Sequence, residues 1–494
     1  MTWPLELPVI LIALLILPRR LAQICRYLLV FLLVALTALR LADMGSRLAF
    51  GRDFDPLAEL HLMSQGWVLA SQTVGRLEAA LVVFLVLITT SLLFYMLNKG
   101  LASLQALVLP TRQRAALFAL VISIVGFLWY GIAPESHSGL RMDIVQDFTQ
   151  RADRIRWRIG DQLAFSKELA VDPVFENTPK GPTFAALEGR DVITLFVESY
   201  GRSWIDHERF RSQARQRLSD VENVVNAAGL SIRSAWVDSP IRGGRSWLAQ
   251  ASYASGLMLT SQARFDRLLS SDRVPLYSLL RNAGWTSVVA LPVVSKPWIE
   301  GAWYDVDQFL NRDALGYQGK GFGYVTMPDQ YTLSAFEDRV RHNNARPVAG
   351  MIGLLDSHAP WGPLPLPVPW GEVGDGSIFD GSNRAGEPVS WATPAPVRAN
   401  YSQSLDQLMA RLAEYLAIYA DDALFVILGD HQPASVIAGW APNAHVPMHI
   451  VSRDPELLAR LPEASFTSGA IPGEHASPIA MGDVRALLSS IFEN

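Results

Sequence analysis

Apolar residues come in long runs over the first 134 positions and in short runs beyond position 183, so the two ends of the chain are built for different surroundings. Four long runs stand out: Leu5 to Leu17, Tyr27 to Leu41, Leu77 to Leu97 and Ala115 to Ile132. The last two approach the roughly 20 residues that a helix needs to cross a bilayer. In the first run the basic pair Arg19 and Arg20 follows the apolar stretch, with no small-residue cleavage site beyond it. That order is wrong for a removable secretory signal, so the run is read as a retained helix. Arg19, Arg20 and Arg26 lie between the first two runs, and Lys99, Arg112 and Arg114 between the last two. Loops of that kind stay on the cytoplasmic side. Four spans then place everything after residue 134 outside, with the Leu60 to Ala70 segment and its Trp67 at the interface.

From Met142 to Ala170 charged and apolar residues alternate at helical spacing, which predicts one or two exposed linker helices. The proline-rich stretch Asp172 to Thr183 follows as a connector. Then come short buried-looking runs: Val192 to Val197, Ser287 to Leu291, Val348 to Leu355, Ala423 to Leu428 and Val446 to Val451. They alternate with helix-like segments such as Tyr401 to Tyr419. Strands that are apolar throughout and separated by helices predict an α/β domain with a mostly parallel sheet. The division is therefore residues 1–134 in the membrane, 135–182 as linker helices and 183–494 as a catalytic α/β domain, with a Pro- and Gly-rich excursion from Pro360 to Pro396.

Composition narrows the chemistry. A formal net charge of -5 over 494 residues offers no polycationic surface, so nucleic acid is excluded as a partner. One cysteine, Cys25, rules out intrachain disulfides and thiolate metal sites. A metal here would use oxygen and nitrogen ligands.

Suitable ligands sit where an α/β sheet keeps its functional groups, just past the carboxyl ends of strands. One strand ends in Glu198-Ser199-Tyr200-Gly201-Arg202, another in Asp356-Ser357-His358-Ala359-Pro360, and a third in Gly429-Asp430-His431-Gln432-Pro433. Taken singly, a Glu after a strand is a solvated cap and an Asp-His pair is a turn. Taken together, carboxylates and imidazoles at three strand ends suit one divalent cation such as Zn²⁺ or Mn²⁺. A nucleophile candidate lies between the first two, in Gly243-Gly244-Arg245-Ser246 ahead of a small, apolar helix. As the amino-terminal cap of that helix, Ser246 would meet an anionic phosphoryl group among unpaired amides, and a bound cation would lower its hydroxyl pKa. The plain alternative is that Ser246 only caps the helix.

These residues, with His445-Val446-Pro447, resemble the ordered motifs of the sulfatase-like membrane transferases of the alkaline phosphatase superfamily. That family includes lipoteichoic acid synthase and the phosphoglycerol and phosphoethanolamine transferases. The resemblance covers roughly residues 185 to 490. It implies a metal site of Glu198, Ser246, Asp430 and His431, and attack by Ser246 on a phospholipid headgroup with release of diacylglycerol. It further implies that His358 contacts phosphoryl oxygens or protonates the leaving group, and that His445 holds substrate or a second ion. The acceptor would be an extracytoplasmic glycan or lipid, and the location a bacterial cytoplasmic membrane with the catalytic domain outside.

Two departures bear on the branch. Asp238-Ser239-Pro240-Ile241-Arg242 places Ser239 one position out of register with the oxidisable residue of true sulfatases, which disfavours sulfate-ester chemistry. Gly301-Ala302-Trp303-Tyr304-Asp305 keeps the tryptophan but not the arginine of the substrate-contacting stretch in glycerol-phosphate polymerases. Trp303 is then a substrate-binding candidate, with Lys296, Arg242 or Arg245 supplying the missing charge. The competing readings are a membrane-anchored phosphatase or phosphodiesterase and a catalytically silent scaffold.

Overall fold

The computed structural model describes residues 3–4, 14, 17–50, 54, 67, 71, 75–107, 116, 119–120, 122–124, 140–141, 143–295, 297–386, 393–439 and 443–493. The first and fourth apolar runs and the Leu60 to Ala70 segment fall largely outside them. The chain divides into two compact units, residues 1–44 with 74–164, and residues 45–73 with 165–494.

The first unit contains most of one long helix, α1 (Arg19–Phe50), and the whole of another, α2 (Arg76–Leu107), which take in the second and third apolar runs. Each is long and apolar enough to cross a membrane. In the most apolar 18 residues of α2 none is buried, and Leu81 to Ile88 are all exposed. So wide a bare apolar surface is not that of a core helix and calls for a bilayer or another apolar partner. Arg19, Arg20 and Arg26 belong to the first turns of α1 rather than to a loop. Arg26 Nε donates to Asn98 Oδ1 near the far end of α2 (2.9 Å), so the basic end of α1 meets the end of α2 that carries Lys99. A single 28-residue helix, α3 (Asp143–Ala170), follows.

The second unit is organised by a nine-stranded sheet. Its strands are β1 (Val192–Val197), β2 (Ser231–Asp238), β3 (Thr286–Leu291), β4 (Gln308–Asn311), β5 (Val348–Leu354), β6 (Leu424–Gly429), β7 (His445–Ser452), β8 (Thr467–Ser468) and β9 (Ile479–Ala480). They lie in the order β8-β2-β7-β6-β1-β5-β3-β4, with β9 beside β2. The sheet is mixed, not mostly parallel: β7 runs antiparallel to both β6 and β2, and β8 antiparallel to β2. A fully buried strand reads the same in either direction, so the apolar run Val446 to Val451 carried no sign of its reversal.

In β1 every residue is buried, and alternate side chains enter the two cores. Val192 and Phe196 pack with α5 (Ser246–Ser255) and α8 (Asp483–Ile491), whereas Ile193, Leu195 and Val197 pack with α4 (Arg211–Ala227) and α7 (Pro394–Tyr419). The remaining long helix, α6 (Asp329–Arg339), contributes Leu333 and Phe336 to the second core. The segment entering this unit is fixed by charge. Asp172 accepts two hydrogen bonds from the fully buried Arg485 (2.8 and 2.9 Å) and lies 3.4 Å from Arg273.

Register delivers the functional loops together. Gly429 of β6 pairs with Val197 of β1, and Val197 with Leu354 of β5, so three parallel strands end level with one another. Antiparallel β7 begins at that same edge, where His445 pairs with Asp238 at the end of β2. The loops crowd so closely that a Cβ on Gly429 would stand 2.0 Å from the Tyr200 carbonyl oxygen, which only glycine permits.

Replacing Gly429 with alanine should lower stability by about 1–3 kcal/mol, the usual cost of overpacking, seen as a fall in thermal midpoint of the purified chain. Asp172→Ala leaves Arg273 and Arg485 buried without their carboxylate and should cost about 3–5 kcal/mol in the same assay. A midpoint unchanged by either substitution would contradict the packing described.

Candidate metal centre

Glu198, Asp430 and His431 converge at the level ends of β1 and β6, with 7%, 1% and 2% of their surfaces exposed. One donor atom from each lies within 4.8 Å of the others, a grouping that could hold a metal ion. His431 Nε2 is 3.3 Å from Glu198 Oε1 and 3.5 Å from Asp430 Oδ2. Ser246 Oγ donates to Glu198 Oε2 at 3.0 Å and lies 3.3 Å from His431 Nε2. A tetrahedral ion with bonds of about 2.0–2.1 Å spaces its ligands about 3.3 Å apart, so this set of one nitrogen and three oxygen donors fits a small divalent cation. His431 Nδ1 is engaged with the Gln432 carbonyl at 2.8 Å, which turns Nε2 towards the cluster in the manner of a metal-binding imidazole.

Electrostatics favour a cation just as strongly. Burial and the neighbouring Glu198 charge raise the Asp430 carboxyl to about 7. Burial would also raise Glu198, but the His358 and His431 imidazoles outweigh it and hold Glu198 well below the usual carboxylate range. Burial lowers His431, yet the Asp430 and Glu198 charges overcome this and lift it to about 9. Without a metal, the proton on His431 is the cation that two buried carboxylates demand.

Ser246 is the first residue of α5, not its cap. The cap position belongs to Arg245, in the left-handed region at φ 65°, directly after Gly244 at φ 58°. Two successive left-handed residues turn the chain so that the Ser246 side chain meets the cluster. Ser199, next to Glu198, is also left-handed at φ 56°. Such backbone strain costs on the order of 1–3 kcal/mol per residue and gathers at functional sites.

Several supporting roles were not read from the sequence. Ser199 donates its N–H to Asp430 Oδ1 (2.8 Å) and its hydroxyl to Glu198 Oε1 (3.0 Å). Ser357 Oγ donates to the Glu198 carbonyl (2.5 Å), Ser239 Oγ to the Asp430 carbonyl (2.6 Å), and Tyr401 Oη to the Ser199 carbonyl (3.0 Å). Ser239, out of register for sulfatase chemistry, thus braces a ligand loop. Asp329 and Asp356 exchange backbone bonds: Asp329 accepts from Leu355 N (2.6 Å) and Asp356 N (2.9 Å), and its own N–H donates to Asp356 Oδ1 (3.1 Å). That exchange fixes the start of the loop carrying His358. The adjacency of Ser199 to Glu198 and of Ser357 to His358 was the one available signal.

The other candidates separate. His358 follows β5 and is close enough for its charge to act on Glu198. At the start of β7, His445 accepts a hydrogen bond from Arg202 through Nδ1 (3.2 Å). Burial and the Arg202 charge lower its pKa, so it is neutral and presents Nε2–H as a donor, which suits a substrate oxygen better than a second cation. Trp303 is built into the core, 8% exposed, with its indole N–H on the Arg273 carbonyl (3.0 Å). A side chain so committed has little surface for a substrate. Lys296 lies outside the described residues.

No protein-family model matches the chain, and no curated protein sequence matches it. Among solved structures, it is similar to the integral membrane lipooligosaccharide phosphoethanolamine transferase A of Neisseria meningitidis, at 11% identity and a TM-score of 0.47, over 97% of this chain and 85% of that one. It is also similar to the C-terminal periplasmic domain of EcEptC from Escherichia coli (12%, 0.39, 64% and 83%), solved as well in complex with Zn. A third is the lipoteichoic acid synthase LtaP of Listeria monocytogenes (13%, 0.38, 55% and 67%). Two of the three bear the names of enzymes that the sequence motifs resemble. At these identities they record a similar arrangement and assign no activity to this chain.

Because His431 near 9 must lose its proton before Nε2 can bind a metal, apparent affinity for Zn²⁺ or Mn²⁺ should rise about tenfold per pH unit from 7 to 9. Below 7, where Asp430 is protonated too, the slope should steepen, and above 9 it should flatten. Chelator competition at a series of pH values measures this, with Asp430→Asn as the variant that retains no metal. An affinity flat from pH 6 to 9 would contradict a site built on these groups.

Proposed function

We propose that this protein transfers a phosphoglycerol or phosphoethanolamine headgroup from a membrane phospholipid to an extracytoplasmic glycan or lipid, through a covalent intermediate on Ser246. The observation that carries this reading is the hydroxyl of Ser246 held at 3.0 Å from Glu198 and 3.3 Å from His431. A serine that only capped a helix would bond to the backbone of its own first turn.

In this reading Ser246 Oγ attacks the donor phosphorus and passes its proton to the buried carboxylate pair, of which Asp430, raised to about 7 by burial and the Glu198 charge, holds a proton the more readily. The bond from phosphorus to the diacylglycerol oxygen breaks, and His358 protonates the departing alkoxide. Ser246 is left as a phosphodiester of the headgroup. The acceptor hydroxyl then attacks the same phosphorus and gives its proton to His358, while the bond from phosphorus to Ser246 Oγ breaks and Oγ takes back its proton from the carboxylates. A divalent cation held by Glu198, Asp430, His431 and Ser246 would supply Lewis acidity, favouring the ionised hydroxyl and offsetting phosphoryl charge. His445 offers Nε2–H to a substrate oxygen, and Arg245 beside the nucleophile adds positive charge.

Transfer is favoured over hydrolysis of a soluble ester by helices fit to cross a membrane in the same chain, since they hold the enzyme where lipid donors are abundant. We assign four spans to residues 1–134, linker helices to 135–182, and the catalytic domain to 183–494 on the outer side of a bacterial cytoplasmic membrane.

The purified full chain, given phosphatidylethanolamine or phosphatidylglycerol separately, should release diacylglycerol from one donor. Mass spectrometry should find that headgroup on Ser246, and Ser246→Ala should abolish the adduct and lower turnover by at least about 10³-fold. Release of phosphate from a soluble ester at a rate matching either lipid, with no adduct, would establish a phosphatase instead.

A further inference from the structure

Tyr324 belongs to none of the motifs read from the sequence, yet its ring lies flat on the imidazole of His358, with centroids 3.8 Å apart and planes 13° apart. The residue is carried on a tight turn in which Phe322 N–H donates to the Val325 carbonyl at 2.7 Å. Gly323 within that turn sits at φ 69°, where a side chain would be strained. Phe322 and Val325, on either side of the turn, are 6% and 4% exposed and packed into a small core with Met327 and Tyr331. Tyr324 is therefore presented by an anchored turn rather than by a loose loop.

The imidazole is restrained from two directions. His358 Nδ1 engages the Ala359 carbonyl, and one ring face is covered by Tyr324. This leaves Nε2 as the nitrogen available to a substrate. Both rings lie within electrostatic reach of Glu198, which feels the charge of His358 and, together with burial, keeps the Tyr324 phenol protonated. The final torsion of a histidine side chain is broad, so a hydrogen bond at one nitrogen does not by itself fix the ring plane. A parallel aromatic face does.

We propose that Tyr324 is a positioning residue: its stacked ring holds the His358 imidazole so that Nε2 faces the phosphoryl group being transferred to Ser246. The inference rests on the transfer reaction proposed above. The ring performs this role, not the hydroxyl.

Tyr324→Phe should therefore keep turnover within about threefold of the unaltered enzyme, while Tyr324→Leu should lower kcat by about 10–100-fold with KM changed less than about threefold. On a His358→Gln background, Tyr324→Leu should cause no further loss, since the partner it orients is gone. Equal damage from Phe and Leu, or losses that multiply in the double variant, would overturn the inference. A second readout is independent of turnover. In histidine-labelled protein, the His358 ring-proton signals, identified by their loss in His358→Gln, should be shifted upfield by the stacked ring in the unaltered and Phe chains but not in the Leu chain. Identical signals in all three overturn the inference. Absence of a headgroup adduct on Ser246 in the unaltered chain overturns the reaction instead.

Discussion

Two carboxylates buried side by side repel one another, and the second unit is arranged to hold Glu198 and Asp430 together in spite of it. Neither can turn to solvent, for both are nearly inaccessible. The repulsion is met by the imidazole of His431, by the Ser246 hydroxyl and by the N–H of Ser199. Serine hydroxyls lock the backbone of both ligand loops from behind. A cluster held so firmly against its own charge suits a doubly positive ion.

The sheet supplies this arrangement through order and register. Placing β6, β1 and β5 side by side and ending them at one level brings the loops that carry Glu198, His358 and Asp430-His431 together without long excursions. The reversal at β7 then returns the chain to the functional edge and brings His445 to it. An all-parallel sheet would have started that strand at the far edge. The antiparallel strand is thus part of how the site is assembled.

Much of this was legible because strand-end chemistry is local. An apolar run followed at once by Glu198, by Asp356-Ser357-His358 or by Asp430-His431 displays both the strand and its functional tip within a dozen residues. What depends on three-dimensional partners was not legible. The direction of β7 leaves no trace in a strand buried on both faces. The bracing role of Ser239 depends on a carbonyl 191 positions away, and the Tyr324 stack on a ring in another loop. Ser246 was placed one position too early in its helix because two successive left-handed residues, the second of them an arginine, cannot be foreseen from Gly-Gly-Arg-Ser. Trp303 illustrates the converse: a tryptophan matched to a substrate-contacting stretch proved to have its indole committed to the core.

The level ending of β1 and β6 carries a consequence for when the protein becomes competent. Ser199 and Asp430, joined by one hydrogen bond across the site, are 231 positions apart in the chain. No shorter fragment contains a complete set of donors, and an unfolded chain cannot hold them near one another. The donors can therefore converge only after β1 and β6 have paired, whatever else of the sheet has formed by then. Any ion this cluster took up would thus report that two strands distant in the sequence had found one another.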